Sequence, residues 1–156
     1  MKQVVQSYKT GDVKLREVPV PECGSKRVLV RNRYSLVSIG TERSTIELGR
    51  KSLAGKAVAR PDLVRRVWDK AKKEGLIKTW QEAMGRLDTP TPLGYSCAGV
   101  VMECGNAITE VSPEDRVVCV GQGFASHAEI ISVPANLMCR IPQGVSEEQA
   151  SFGMLG

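Results

Sequence analysis

The chain has 156 residues, a length that suits one compact domain with a real hydrophobic core. Its composition, with 42% apolar and 25% charged residues, is typical of a soluble globular protein. No apolar run approaches the length of a membrane span, so we expect no membrane partner. The first residues lack the apolar stretch and cleavage pattern of a signal peptide, and we therefore expect a cytoplasmic location.

The cysteines agree with a reducing compartment. There are five of them, an odd number, widely spaced and without any C-x-x-C pair. We interpret them as reduced and mostly buried thiols.

Short β-prone runs bounded by turn residues predict strands at both ends of the chain. Val4–Tyr8 and Val13–Val18 flank the turn residues Lys9–Asp12 and predict a hairpin. Further strands are predicted at Val28–Ser38, Cys97–Cys104, Arg116–Val120 and Ala128–Val133. Several short strands at such close spacing predict a small barrel or sandwich.

The middle of the chain, between Gly49 and Thr91, changes to helical periodicity. Pro61 begins a segment that Gly75 ends, with an apolar face formed by Leu63, Val64, Val67, Trp68 and Ala71. The sequence Thr79-Trp80-Gln81-Glu82 has the form of a capping box, followed by Ala83, Met84 and Leu87 at helical spacing. We predict two short amphipathic helices.

This middle segment also carries the charge of the chain. From Arg50 to Asp88 there are 11 Lys and Arg residues against five Asp and Glu, a net charge of +6, while the whole chain is +5. A solvated helix face is one interpretation. A docking surface for an anionic substrate, a phosphorylated cofactor or a neighbouring domain is another. Nucleic-acid binding is the third, although no recognised motif supports it.

The end of the chain predicts another helix. Ser146-Glu147-Glu148-Gln149 is a second capping box, and Ala150, Phe152, Met154 and Leu155 continue an apolar helical segment. We interpret residues 146–156 as the start of a connection to a further domain. No G-x-G-x-x-G fingerprint occurs, so a domain that binds a dinucleotide would lie beyond residue 156.

Four segments, in chain order, resemble the GroES-like N-terminal catalytic domain of the medium-chain dehydrogenase/reductase superfamily, which includes the zinc-type alcohol dehydrogenases. They are Ile39-Gly40-Thr41-Glu42, the turn Gly94-Tyr95-Ser96 with the strand to Val101, Glu114–Val118, and Phe124–Pro134. The resemblance implies a mainly β fold with short helices: a GroES-like, partly open β-barrel over residues 1–145. The basic helical segment 50–90 would be an insert, and a Rossmann cofactor domain of the same full-length chain would follow.

The resemblance also implies that zinc is missing. Ile39 and Tyr95 stand where zinc-dependent members have a cysteine and a histidine ligand. An isoleucine cannot bind a metal, and a phenol is a poor zinc ligand at neutral pH. Cys104 is the single cysteine where the family has its four-cysteine structural zinc loop, and the single histidine, His127, belongs to another strand. We therefore expect no zinc and interpret His127 as a structural or surface residue.

Hydroxyl groups would then replace the metal. The resemblance implies a proton relay at Thr41, an extension of it at Ser44 and a proton donor at Tyr95. Three other roles stay open: Thr41 as the cap of a helix over Thr41–Leu48, Ser44 as a solvent-facing residue, and Tyr95 as a filler of the vacated metal cavity. Backbone at Gly40 and Thr41 would lie beside the nicotinamide end of NAD or NADP.

Two main functions follow. One is the substrate-binding and catalytic domain of an NAD(P)-dependent, zinc-independent oxidoreductase that acts on a carbonyl, an alcohol or an activated double bond. It would be active only within a longer chain, on a small-molecule substrate that the basic insert would suit if anionic or sugar-linked. The alternative is a non-catalytic GroES-like binding or scaffold module. The choice of NAD or NADP, the substrate and any homo-oligomer stay open.

Overall fold

A computed structural model describes residues 1–153, apart from the side chains of residues 53, 83 and 86–88. The strands are β1 Lys2–Gln6, β2 Val13–Glu17, β3 Arg27–Ser35, β4 Thr91–Pro92, β5 Ser96–Cys104, β6 Arg116–Val120, β7 Ile130–Pro134 and β8 Met138–Arg140. The helices are α1 Ile39–Arg50, α2 Leu53–Ala59, α3 Pro61–Glu74, α4 Leu76–Asp88 and α5 Glu147–Gly153, with a 3-10 turn at Ala135–Leu137. None of the helices in this part of the chain combines the length and apolar character that crossing a membrane requires.

The chain divides into two compact units. The first consists of Met1–Val4, Leu15–Ser38 and the chain from Pro92 onward. The second consists of Val5–Lys14 and Ile39–Thr91, so it contains the basic segment together with α1 and the turn after β1.

A five-stranded antiparallel sheet forms the first unit, in the order β7-β3-β5-β6-β8. Its inner face buries a cluster of small apolar side chains: Val28, Val30, Cys97, Val101, Val111, Val117, Cys119, Ala125, Ile131 and Val133. Strands β2, β1 and β4 form a second, three-stranded sheet in that order. The prediction of a mainly β fold with short helices is confirmed.

Strand β5 lies at the centre of the large sheet, between β3 and β6. Gly99 on β5 faces a bulge in β3 at Asn32, and a methyl group added at Gly99 would come within 2.9 Å of the carbonyl carbon of Arg31 and 3.0 Å of Cα of Asn32. Such a close approach of two backbones requires glycine.

The capping box before α5 is confirmed. Ser146 Oγ accepts a hydrogen bond of 3.1 Å from the backbone N–H of Gln149, and the Gln149 side chain accepts one of 3.1 Å from the Ser146 N–H. Ala150 on this helix is buried against Ala98 and Val118 of the sheet. The predicted continuation at Met154 and Leu155 lies outside the described residues.

The second unit contains four helices, where the sequence predicted three: one over Thr41–Leu48 and two between Gly49 and Thr91. The predicted bounds of α3 are confirmed, with Pro61 in its first turn and Gly75 at its C-cap. The predicted capping box at Thr79 is wrong, because α4 already begins at Leu76 and the buried Thr79 donates its hydroxyl hydrogen to the Gly75 carbonyl over 2.9 Å. Gly75, at φ +94°, is both the C-cap of α3 and the N-cap of α4, so one residue connects the two helices.

Helix α1 also begins earlier than predicted. It starts at Ile39, which places Thr41 inside its first turn rather than at its cap. The alternative role of Thr41 as the cap of a helix over Thr41–Leu48 is therefore wrong. The first hairpin differs little from its prediction, since β1 ends at Gln6 and the Ser7 N–H bonds the Asp12 carbonyl at 2.9 Å across the turn.

We expect Gly99→Ala to lower the free energy of unfolding by about 1–3 kcal/mol, because the added methyl group forces β5 and β3 apart. Gly85→Ala is the matched control. Gly85 lies on the exposed side of α4 with nothing within 4 Å of an added methyl group, so this change should stabilise the helix by up to about 1 kcal/mol. Chemical denaturation of both variants measures the difference, and equal effects would contradict the close approach at Gly99.

Candidate functional site

The turn before β5 is fixed by backbone hydrogen bonds on both sides. The His127 N–H donates to the Leu93 carbonyl at 2.8 Å, and the Gly121 N–H donates to the Tyr95 carbonyl at 2.8 Å. Ser96 is fully buried, and its hydroxyl donates to the Ser151 carbonyl at 2.7 Å. The direction in which Tyr95 leaves the turn is therefore set by its backbone.

Gly94 gives the turn its shape. Its φ of +96° lies in the left-handed region, where a side chain is strained. An added methyl group would also lie 2.8 Å from the backbone N of His127 and 2.9 Å from Nδ1 of its ring. The histidine ring therefore packs directly on the glycine.

Tyr95 is half-buried at this turn. Its phenol makes no hydrogen bond to any residue in the described part of the chain, whereas its backbone carbonyl is bonded. The hydroxyl is thus available to an external acceptor or donor. This geometry suits the predicted proton donor, and it equally suits a phenol that fills the space of a former metal ligand.

The structure brings His127 to this turn. The hydroxyl of Ser35, at the end of β3, is hydrogen-bonded to Nδ1 of His127, and the His127 carbonyl accepts from the Val4 N–H at 2.8 Å. The sequence-based interpretation of His127 as a structural residue is compatible with these bonds, but its position beside Gly94 was missed. Ser35 was missed as well.

A signal for His127 was present in the sequence. It is the only histidine, and it lies at the start of a segment that resembles a known strand motif. The partner across 92 residues could not be read from spacing, because the contact depends on how β3 and the segment before β7 meet.

The predicted relay residues Thr41 and Ser44 both lie on α1 in the second unit and are both exposed. The Ser44 and Thr45 hydroxyls each donate to the Thr41 carbonyl at 2.9 Å. Serine and threonine commonly make such bonds to the preceding turn of a helix. Ser44 therefore bonds the backbone carbonyl of Thr41.

The two positions that the resemblance matches to family metal ligands, Ile39 and Tyr95, differ in their surroundings. Ile39 is 79% exposed in the first turn of α1, and Tyr95 is half-buried at the start of β5. No group of three or more His, Cys, Asp or Glu side chains with metal-binding geometry occurs among residues whose placement is described. The residues present at these two positions do not fit a zinc ion.

The five cysteines differ in burial, and Cys97 lies two residues after Tyr95, opposite Ser35 of β3. All five are free thiols, but only Cys97 and Cys119 are buried, and Cys139 is exposed, so the prediction of mostly buried thiols is wrong. Cys97 and Cys119 face each other across β5 and β6. A hydrogen bond with Cys119, together with burial, raises the pKa of Cys97 far above its usual range, so this thiol stays protonated and unreactive.

An open cleft of about 580 Å³ lies elsewhere in the first unit. The Arg27 guanidinium stacks over the Phe124 ring at 5.2 Å on its wall and donates to Ser132. Neither Tyr95 nor His127 lines this cleft. Its position does not coincide with the predicted chemistry, and we assign it no role in that chemistry.

Known structures with the same fold were found by comparison. The quinone oxidoreductase of Coxiella burnetii matches 97% of this chain with a TM-score of 0.63 and 18% identity. The quinone oxidoreductase of Escherichia coli, solved in complex with NADPH, matches 97% with a TM-score of 0.61 and 15% identity. This chain has the fold of the GroES-like N-terminal domain of medium-chain dehydrogenases/reductases. The resemblance found in the sequence is confirmed at the level of fold.

Sequence comparison reaches only part of the GroES-like domain. A quinone oxidoreductase of Salmonella typhimurium is 32% identical over 66 residues, which are 42% of this chain and 20% of that protein. A highly reducing polyketide synthase of Gibberella fujikuroi is 38% identical over 61 residues, 39% of this chain and 2% of that protein. No protein-family model matches the sequence. The chain spans 40% and 36% of the two solved structures named above.

We expect Gly94→Ala to lower the free energy of unfolding by about 1–3 kcal/mol, because it adds both backbone strain and a clash with His127. Gly123→Ala is the control, since Gly123 has a φ of +82° but nothing within 4 Å of an added methyl group. The control should therefore cost about 1 kcal/mol less. Denaturant unfolding of both variants makes the comparison, and equal losses would show that the packing against His127 carries no weight.

Proposed function

We propose that this chain is the substrate-facing domain of an NAD(P)-dependent, zinc-independent oxidoreductase that acts on a carbonyl, an alcohol or an activated double bond. The observation that carries the proposal is a GroES-like fold whose two family metal positions hold Ile39 and Tyr95. Solved neighbours named as quinone oxidoreductases, one of them with NADPH, support this reaction class. The proposal includes α5 as the start of the connection to a cofactor domain.

The first turn of α1 is where the nicotinamide end of the cofactor would be held. Gly40 is exposed there, and an added methyl group would meet nothing within 4 Å, so the backbone surface is open to a flat ring. Gly40 and Thr41 are the residues we assign to this contact. When bound, the nicotinamide supplies or accepts the hydride.

The chain's own residues would handle the proton. Tyr95 has an unengaged phenol that can donate a hydrogen bond to a substrate oxygen and stabilise the charge that develops on it. Thr41 can accept and pass on a proton through its hydroxyl. Ser44 donates to the Thr41 carbonyl, so we assign it the role of holding the first turn of α1 and, when that bond opens, of extending the relay.

The turn that carries Tyr95 supports a catalytic role because it is held from several sides. Hydroxyl donors contribute to catalysis only when they are fixed in position before the reaction. The Gly94–His127 packing and the Gly121–Tyr95 backbone bond provide that fixation. We therefore assign Ser35 and His127 as positioning residues for the turn.

The location and substrate belong to the same proposal. Five free thiols support a reducing compartment such as the cytoplasm. The net charge of +6 between Arg50 and Asp88 supports a substrate that is anionic or linked to a sugar phosphate. A non-catalytic module of the same fold is the competing function, and turnover by the full-length chain separates the two.

Turnover of the full-length protein tests the two hydroxyls. We expect Tyr95→Phe and Thr41→Ala each to lower kcat by about 100-fold or more, because each removes a proton donor in the transition state, while the KM for the cofactor changes little. Tyr34→Phe and Thr45→Ala are the controls. Tyr34 lies exposed on β3 and Thr45 one turn beyond Thr41 on α1, so both should keep kcat within about twofold. A variant that retains full turnover removes its residue from the proposed mechanism.

Metal analysis tests the zinc-independent chemistry. We expect the purified full-length protein to contain far less than one equivalent of zinc and to keep its activity after dialysis against a chelator, because neither Ile39 nor Tyr95 supplies a suitable donor. Stoichiometric zinc bound in this domain, or activity lost on chelation and restored by zinc, would contradict the proposal. The isolated residues 1–156 should show no turnover, whichever metal result is obtained.

A further inference from the structure

Helices α3 and α4 present large apolar side chains to solvent. Both tryptophans of the chain lie here, with Trp68 58% exposed and Trp80 59% exposed. Leu76 and Ile77 at the start of α4 are 68% and 78% exposed. So many large exposed apolar side chains on two packed helices favour a binding surface.

The charged residues of α3 flank its apolar stripe. Leu63, Val64, Val67 and Trp68 share one side of the helix at 3.6 residues per turn, and Arg65, Arg66, Lys72 and Lys73 occupy the remaining circumference. The Lys72 ammonium lies 5.7 Å from the centre of the Trp68 ring, so a positive charge stands at the border of the stripe. Basic side chains in that position can bind the anionic groups of a surface while the apolar side chains of the stripe insert into its apolar part.

Helices α3 and α4 carry seven Lys and Arg residues against five Asp and Glu, a net charge of +2, and several of the basic residues are unpaired. Glu74 lies 3.6 Å from Lys70 and 3.9 Å from Lys78, and Glu82 also pairs with Lys70. Asp62 pairs with Arg60 at 2.8 Å. In the part of the chain that the structure describes, Arg65, Arg66 and Lys73 make no ion pair, and Asp69 is the acidic side chain of α3 outside these pairs.

The combination of apolar stripe and charge favours one kind of occupant. A second copy of the chain, which carries a net charge of +5, would bring two positively charged proteins together, and these repel each other. A nucleic acid would pair with the basic residues, but it would leave the exposed tryptophan, leucine and isoleucine side chains in water. An anionic lipid surface satisfies both, because basic amphipathic helices with tryptophan lie in the interface of such membranes.

We propose that α3 and α4 attach the protein peripherally to membranes rich in anionic lipid, with the apolar residues Trp68, Leu76, Ile77 and Trp80 in the interface and the flanking basic residues on the headgroups. This differs from the expectation of no membrane partner, which considered only segments long enough to span a bilayer. The attachment does not depend on the proposed oxidoreductase activity.

Vesicle co-sedimentation of the full-length protein tests the attachment. Vesicles of phosphatidylcholine alone are compared with vesicles that contain about 30% phosphatidylglycerol, and we expect binding at least about tenfold tighter to the anionic vesicles and weaker at high salt. The double variant Trp68→Ser/Trp80→Ser should lose at least about tenfold in affinity for them. So should Arg65→Gln/Arg66→Gln, because basic residues near the surface each contribute to the attraction.

Matched controls come from β2 in the same chain. Leu15→Ser removes an apolar side chain that is 63% exposed, and Lys14→Gln/Arg16→Gln removes two exposed positive charges. Both controls should keep vesicle affinity within about twofold. Circular dichroism and thermal unfolding establish that the variants are folded. Trp68→Phe/Trp80→Phe serves as a milder second variant that should lose less vesicle affinity, and quenching of the wild-type tryptophan fluorescence by brominated lipid measures the insertion of these side chains.

Three results would overturn the attachment. The first is equal binding to both vesicle types, or none to either. The second is unchanged vesicle affinity in both the tryptophan and the arginine double variants. The third is a wild-type protein that is oligomeric without lipid while the tryptophan double variant is monomeric, which would assign the surface to a second copy. Retained turnover in a variant that no longer binds vesicles would separate this surface from the proposed active site.

Discussion

The close backbone approach between β5 and β3 is the constraint on which the first unit depends. Strand β5 is hydrogen-bonded on both edges and buried along most of its length, so it can shift neither sideways nor out of the sheet. Gly99 allows β3 to pass close enough for the bulge at Asn32. Because Tyr95 directly precedes β5, the position of this tyrosine follows from the packing of the sheet rather than from the turn alone.

The turn at Gly94 fixes the backbone of Tyr95 to the rigid sheet. A glycine with a positive φ lets the chain reverse into β5, and the ring of His127 occupies the space that any other residue would need. Ser35 holds the ring from the end of β3. Three segments that are distant in sequence thus meet at the turn that precedes Tyr95. The hydroxyl chemistry proposed for Tyr95 needs this kind of fixed geometry, since a mobile donor stabilises a developing charge no better than water does.

The second unit follows different physics. Its helices carry most of the net charge and expose several large apolar side chains. Helix-terminal residues and ion pairs between side chains therefore stabilise it, in addition to a small buried core. The Lys70–Glu82 pair joins α3 to α4, and Gly75 lets the chain reverse between them. Helices of this type combine low overall hydrophobicity with a distinct apolar stripe, which is the character of surface-binding rather than core-forming segments.

Local chemistry in the sequence determined much of the architecture. The bounds of α3 follow from Pro61 and Gly75, the cap of α5 from Ser146 and Gln149, and β6 from an apolar run between polar neighbours, because each of these signals acts over a few residues. The match of Ile39 and Tyr95 to the metal-ligand positions of the family is an inference from the sequence alone. Tertiary structure alone decided the early starts of α1 and α4, the exposure of Cys139 and the contact of His127 with Gly94 and Ser35. Those features depend on which distant segments of the chain contact each other. A hydrogen bond between residues 92 positions apart, or the burial of one cysteine and not another, leaves no local pattern in the sequence.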